Sequence, residues 1–419
     1  MRRQGWQTLE PAEHGPDDGL VDLIIRQVAE GGSLAALFSA LCERLLQIGL
    51  PVWRTSLSMR AIDPIVTASS LYWHRDKGVG EPVRFGLADR LAYERSPIAH
   101  VLGNGLGAAR WRIENGEGCA RFPLLAELRA AGGTDYLMRI VGFTGQVALP
   151  GIALSIATDR PGGFTLAEIR RMDQMLPALG LACHRFALEG TLADVLSVYL
   201  GPRTAGRVLA GEIMRGTGRR ITAAILLADL RGFTALSAQA DPMKVVGWLN
   251  EHLEAMGAPI DAAGGEILKF TGDGLLAVFT ADDGAEPAAC ARALAAAEAM
   301  LAATAGLNRA RCQAGLPQLG LGVVLHHGEV VYGNVGAVRR LDFTAIGPAV
   351  NEASRLEKLC GRLGRELLLS GAFAVHCTRP LRRIGAFRLR GVNTPIEVLE
   401  PEAPWTRERG DAPGPLETD

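Results

Sequence analysis

Lysine is nearly absent from this 419-residue chain. Lys77, Lys244, Lys269 and Lys358 are the only four, and arginine carries almost all the positive charge. Any lysine inside a motif therefore stands out. Net charge is as scarce: the formal value is −1, with 44 basic against 45 acidic residues, which gives no bulk attraction for nucleic acid or an anionic membrane. Cysteine occurs seven times, always singly and never as Cys-x-x-Cys. Such a dispersed, odd set speaks for reduced thiols in a cytoplasmic protein and against a disulfide framework or a zinc site. No apolar run follows Met1-Arg2-Arg3-Gln4-Gly5-Trp6, so no signal peptide is expected. No stretch reaches the ~18 uninterrupted apolar residues of a membrane span. What remains is 48% hydrophobic and 21% charged, the balance of a globular chain with sizeable cores, and its length allows two domains or three.

The pattern along the chain divides it. Residues 1–19 read as a flexible leader. Over 20–49 the apolar residues Leu23, Val28, Leu34, Leu37, Leu41 and Leu45 recur at helical spacing, in two helices parted at Gly31-Gly32. Short β-prone runs such as 54–59, 140–143 and 152–157 follow, broken by glycine and proline turns. A helix then starts at Thr165, with Glu168 at the capping-box position. This predicts an α+β domain over 20–188. Residues 189–218 read as a helical linker, interrupted at Gly201-Pro202 and resuming to Met214. From 219 to 401 strands and helices alternate in a βαββαβ-like order, which suits a ferredoxin-like α+β sandwich. Residues 402–419 read as a disordered tail.

Three segments in the second half carry chemistry. In Ile225-Leu226-Leu227-Ala228-Asp229-Leu230-Arg231-Gly232-Phe233-Thr234 an apolar strand runs into an aspartate and then a glycine turn into a helix. A carboxylate there, beside helix N-terminal amides, can hold a divalent metal and a polyphosphate together. In Lys269-Phe270-Thr271-Gly272-Asp273-Gly274 a second aspartate sits at a hairpin tip. Each aspartate alone has a plain turn or capping explanation; two on one sheet are what a pair of Mg²⁺ ions needs around a triphosphate. In Phe343-Thr344-Ala345-Ile346-Gly347-Pro348-Ala349-Val350-Asn351-Glu352-Ala353-Ser354-Arg355 an amide and an arginine lie four apart on a predicted helix. They suit a charge developing on phosphorus, or equally a solvated helix face.

Together these segments resemble the class III adenylyl/guanylyl cyclase catalytic domain. The resemblance covers 219–401 and rests on order and spacing: Asp-x-x-Gly-Phe-Thr, Lys-x-x-Gly-Asp, then Thr-x-x-Gly-x-x-Val-Asn-x-x-x-Arg. It implies that Asp229, Leu230 and Asp273 hold two Mg²⁺ or Mn²⁺ ions per site, and that Lys269 and Thr344 read the purine. It also implies that Asn351 orients the ribose, that Arg355 stabilises the transition state, and that Phe233 and Thr234 line the substrate site. Such a domain works as a homodimer with shared sites, making cyclic AMP and pyrophosphate from ATP. The stretch Asp159-Arg160-Pro161-Gly162-Gly163-Phe164-Thr165 is similar to the close of a GAF-type sensor domain, whose ligand or partner is unknown and whose role is regulatory.

The purine choice also has a physical basis. Lysine only donates hydrogen bonds, which suits adenine N1, and a threonine hydroxyl can accept from the 6-amino group; guanine reverses both edges. ATP is therefore expected over GTP. The alternatives are a guanylate cyclase and a non-catalytic nucleotide-binding module. The chain departs from the familiar pattern at Thr344, where aspartate is usual; Asp342 is a stand-in two residues earlier. No second lysine marks the triphosphate near 389–392, where Arg390 is the substitute. His326-His327 point to opposite faces of a strand and are expected to be structural. So are His74, His100 and His184, when weighed as haem or metal ligands.

Overall fold

The computed structural model describes residues 18–61, 66–143, 149–280, 285–337, 339–390, 392 and 394–402. Most of the expected leader, the tail beyond 402 and Gly391 lie outside the described residues. Asp18 and Gly19 belong to the folded part: the Asp18 carboxylate accepts from Arg171 at 2.8 Å, and Gly19 starts the first helix at φ 64°. The chain divides into two compact units, residues 1–195 and 196–419. The helix Leu176–Leu200 runs through the division.

The first unit places the helices Leu20–Ala29 and Leu34–Gln47 against an antiparallel sheet. Ser33 caps the second helix, its hydroxyl accepting from the Ala36 N–H. The sheet runs in the order 78–79, 66–74, 54–60, 151–158, 135–142, 108–111, with 83–86 also on 66–74. One face buries Leu57, Trp73, Leu154 and Ile156 with Leu37, Phe38, Leu41 and Leu45. The other buries Trp53, Ile113, Phe122, Leu125 and Met138. The segment that resembles a GAF ending is organised by one buried carboxylate. Asp135 is fully buried and accepts from the Arg110 guanidinium at 2.6 Å and the Phe164 N–H at 2.9 Å. Gly163, at φ 72°, leaves it room: a Cβ there would lie 2.5 Å from the Asp135 carboxylate. Thr165 and Glu168 form the expected capping box.

The second unit opens with α1 (Pro202–Leu209). It stops five residues short of the expected Met214, because Gly211 turns the chain at φ 91°. Then come β1 (Gly218–Arg231), α2 (Phe233–Ser237), α3 (Pro242–Ala262), β2 (Glu266–Phe270), β3 (Gly274–Thr280) and α4 (Glu286–Gln313). They are followed by β4 (Gly320–Ala337), β5 (Arg340–Ile346), α5 (Pro348–Arg362), β6 (Leu367–Ser370), α6 (Gly371–Ala374), β7 (Leu381–Phe387) and β8 (Ile396–Pro401). The sheet order is β7-β8-β6-β4-β1-β3-β2, with β5 hairpinned onto the far half of β4. Among the described residues only β4 and β6 pair in parallel.

Alternation along β1 sorts the two faces. Ala224, Leu226 and Ala228 point to the layer holding α3 and α4; Ala223 and Ile225 point to the layer holding α5. α4 is long and apolar enough to cross a membrane by length and composition, but half of its most apolar stretch is buried, with Ala289, Ala293, Ala297 and Met300 in the core. The mixed α+β class read from the sequence holds for both units.

Candidate functional site

Strand β1 does not end at Asp229, as the sequence suggested, but continues to Arg231. Its two neighbours differ in length. β4 stays paired with β1 to Gly320↔Arg231, whereas β3 begins only at Gly274↔Asp229. Asp229 thus sits at the last rung on the β3 side, where the β2–β3 hairpin turns. Thr271 and Gly274 close that turn (Thr271 N–H to Gly274 C=O, 2.8 Å), with Gly272 left-handed at φ 79°. The Leu230 N–H donates to the Asp273 carbonyl at 3.3 Å, so the backbone itself brings Asp273 alongside Asp229. Leu230 buries its side chain. Gly274 is required here: a Cβ would stand 2.6 Å from the Asp229 carboxylate and 2.5 Å from the Ala228 carbonyl.

The surroundings of Asp229 disfavour its negative charge. Burial, then the Asp273 charge, then Glu357 push the Asp229 carboxyl up to about 6, against the pull of Arg231. Burial likewise raises Glu357, on α5, opposed by Lys358 and Arg231. No salt bridge reaches Asp229 or Asp273 among the described residues. Nor do three His, Cys, Asp or Glu side chains group there as a closed metal cage. Two half-buried carboxylates at a strand end form an open, oxygen-rich site of the kind Mg²⁺ favours, since that ion keeps waters and substrate phosphates in its shell.

Two neighbours of the pair were not singled out in the sequence. Arg231 lies over Gly320 and Gly322 and donates to the Arg365 carbonyl and the Cys360 sulfur at the end of α5. It thereby fastens the Asp229 strand to the helix that carries Asn351 and Arg355. Its two-residue step from Asp229 was a legible sign that both share a face. Glu357 gave no comparable sign, because only packing brings α5 to β1.

Lys269 is re-aimed by a β-bulge. Leu276 opposes Lys269 while Ala277 opposes Ile267, which leaves Leu268 as the extra residue. Lys269 therefore shares the α5 side of the sheet with Glu266, three residues back. Its side chain is exposed. Thr344 pairs with Gly333 across the β4–β5 hairpin. It is 5% exposed, and its hydroxyl has no hydrogen-bond partner among the described residues. Asp342 shares the Thr344 side of β5 and is exposed. On α5, Asn351 is exposed and Arg355 half-buried, one helical turn apart. Phe233 and Thr234 open α2 just after Gly232 (φ 82°); Phe233 packs on the core and Thr234 is exposed. Arg390 is exposed.

The five histidines weighed in the sequence each pack against a neighbouring side chain. His326 is buried, 2.8 Å from the Ser370 hydroxyl, while His327 points the other way, its ring 4.2 Å from that of His376. His74, His100 and His184 each rest against an aromatic ring.

Residues 218–366 match the family described as the adenylate and guanylate cyclase catalytic domain. Among curated relatives, the adenylate cyclase of Anabaena cylindrica is 34% identical over 197 residues, 46% of this chain and 38% of that protein. Adenylate cyclase 1 of Rhizobium meliloti is 33% identical over 256 residues, 59% of this chain and 36% of that protein. The chain thus spans less than two fifths of the length of these relatives. Among solved structures, the adenylyl cyclase CyaB from P. aeruginosa is 26% identical with a TM-score of 0.42, covering 46% of this chain and 98% of that one. The guanylyl cyclase Cya2 is 28% identical with a TM-score of 0.39, covering 45% and 96%. The first unit lies outside the family match, and its likeness to a GAF-type domain rests on residues 159–169.

Proposed function

We propose that the chain, whose residues 218–366 match the family described as the adenylate and guanylate cyclase catalytic domain, is an adenylate cyclase that closes ATP to 3′,5′-cyclic AMP with release of pyrophosphate. The observation that carries this reading is the convergence of Asp229 and Asp273 through the β1–β3 rung and the Leu230–Asp273 bond. Burial and the neighbouring Asp273 and Glu357 charges disfavour a bare anion at Asp229, so a cation bound there would be favoured. Two divalent cations, Mg²⁺ or Mn²⁺, would be held by these carboxylates and the Leu230 carbonyl; bound there, they acidify the ribose 3′-hydroxyl and neutralise triphosphate charge.

The protein's own groups do the rest. Asp229 and Asp273 would place those cations, and with them the reacting end of the nucleotide, where the β2–β3 hairpin turns beside β1. Lys269 donates to adenine N1, and the unpartnered Thr344 hydroxyl accepts from the 6-amino group, so a buried polar atom gains the bond it lacks. Asn351 holds the ribose. Arg355 meets charge that grows on the phosphoryl oxygens in the transition state, the kind of contact that raises turnover more than affinity. The site is completed by a second copy of the chain, one contributing the carboxylates and the other the purine readers with Asn351 and Arg355. The first unit regulates the pair.

The deciding assay is turnover of ATP beside GTP with Mg²⁺ or Mn²⁺. Cyclic AMP forming at least tenfold faster than cyclic GMP, and neither forming with chelator, is the expected result. A preference for GTP overturns the purine reading; no turnover of either overturns the enzyme reading.

A further inference from the structure

We propose that Glu266, Tyr332 and Thr204 form a positioning cluster that fixes the separation of Lys269 from Thr344 and so sets the choice between adenine and guanine. The inference rests on the assignment of Lys269 and Thr344 as purine readers. Glu266 is 5% exposed and uses both carboxylate oxygens: one accepts from the Thr204 hydroxyl and the other from the Tyr332 hydroxyl, each at 2.7 Å. A buried carboxylate is costly to keep unless fully hydrogen-bonded, and an apolar residue would fill this place more cheaply. Its presence calls for something other than stability.

The position in the sheet supplies that reason. β2 is the edge strand, separated from β4 by β3 and β1. Among the described residues no ladder bond joins the strand of Lys269 to the hairpin of Thr344, although β5 runs close to β2. The Glu266–Tyr332 bond crosses this gap. At one end, the bulge at Leu268 puts Glu266 on the same side of β2 as Lys269. At the other, Tyr332 directly precedes Gly333, the cross-strand partner of Thr344. The bond thus ties the two readers together at their roots.

The third member comes from outside the family match. Thr204 belongs to α1, which precedes residue 218. α1 makes further contacts around both ends of that bond: Arg203 donates to the Gly264 carbonyl at 3.0 Å just before β2, and the Arg207 guanidinium lies 4.8 Å from the ring centre of Tyr332 on β4 and 5.7 Å from that of Phe343 on β5. A hydrogen-bond pair that reads a purine edge tolerates little displacement, so loosening the cluster should act on selection more than on the chemical step.

The test uses the full-length chain with Tyr332→Phe, Glu266→Gln, Thr204→Val and Thr204→Ser. In the first three, KM for ATP should rise about tenfold with kcat within threefold of the parent, and the ATP-over-GTP preference should fall at least tenfold. Thr204→Ser, which keeps the hydroxyl, should match the parent. Calorimetric Kd values for ATP and GTP give the same ratio without turnover, and thermal melts show whether each variant is folded. Should Tyr332→Phe or Glu266→Gln fail to fold, the Thr204 pair carries the test. Variants that melt earlier while KM, Kd and nucleotide preference stay put overturn the proposal and leave the cluster purely structural. A parent that binds ATP without converting it overturns the cyclase reading alone, with the Kd ratio still deciding on the cluster; a parent that binds neither nucleotide overturns both.

Discussion

A single carboxylate shows how the site was built against stability. Asp229 has a pKa near 6 in the folded chain, above the ~3.9 of an unfolded aspartate. The folded state therefore binds more protons between those values, and stability attributable to this group falls as pH rises from about 4 to about 6. Asp229→Asn removes that cost. In metal-free protein at pH 8 the variant should be more stable than the parent by about 1–2 kcal/mol, allowing for partial solvent screening. The gain should vanish near pH 4, where the parent is already protonated. Added Mg²⁺ or Mn²⁺ should reverse the order, because the ion stabilises only the chain that binds it. Urea denaturation across this pH range reads all three; a stability difference that does not change with pH would show that Asp229 is not strained by its surroundings.

At the scale of elements, the site depends on how strands end. β3 starts where Asp229 stands, and Gly274 is the rung between them. Gly274→Ala places a methyl group into the Ala228 carbonyl and the Asp229 carboxylate. Either the rung opens or the carboxylate turns away, so the variant should lose about 1–3 kcal/mol of stability and turn over ATP at least a hundredfold more slowly. Denaturation and a cyclic AMP assay on one preparation test this; normal activity would mean that the Asp229 position tolerates displacement. Strand length and the bulge at Leu268 belong to this scale as well. Both arise from how neighbours pair, which is why β1 outran the apolar run that leads into Asp229.

For the whole molecule, the prediction concerns assembly. If the carboxylates of one copy serve the purine and transition-state residues of another, Asp273→Ala and Arg355→Ala chains should each be inactive. When mixed and allowed to exchange, they should recover activity, because one site of each heterodimer is then intact. With random pairing about half the dimers are mixed and each has one good site of two, so about a quarter of the parent activity is expected. Heterodimers shown to form by differential tagging, yet inactive, would rule out a shared site.

Much of this was legible without coordinates. Spacing and residue type marked Asp229, Asp273, Asn351 and Arg355, because a strand-end turn, a hairpin tip and an i, i+4 helical pair are local features set by short-range sterics; Lys269 and Thr344 were marked by the resemblance to a cyclase catalytic domain. The α+β order of both units followed from periodicity for the same reason. Three things belong to the tertiary structure alone: the alignment of Asp273 beside Asp229, the approach of Glu357 to that pair, and the bond from Glu266 to Tyr332. Each joins residues tens of positions apart through sheet register and helix packing, and periodicity within a segment carries no information about which segments become neighbours.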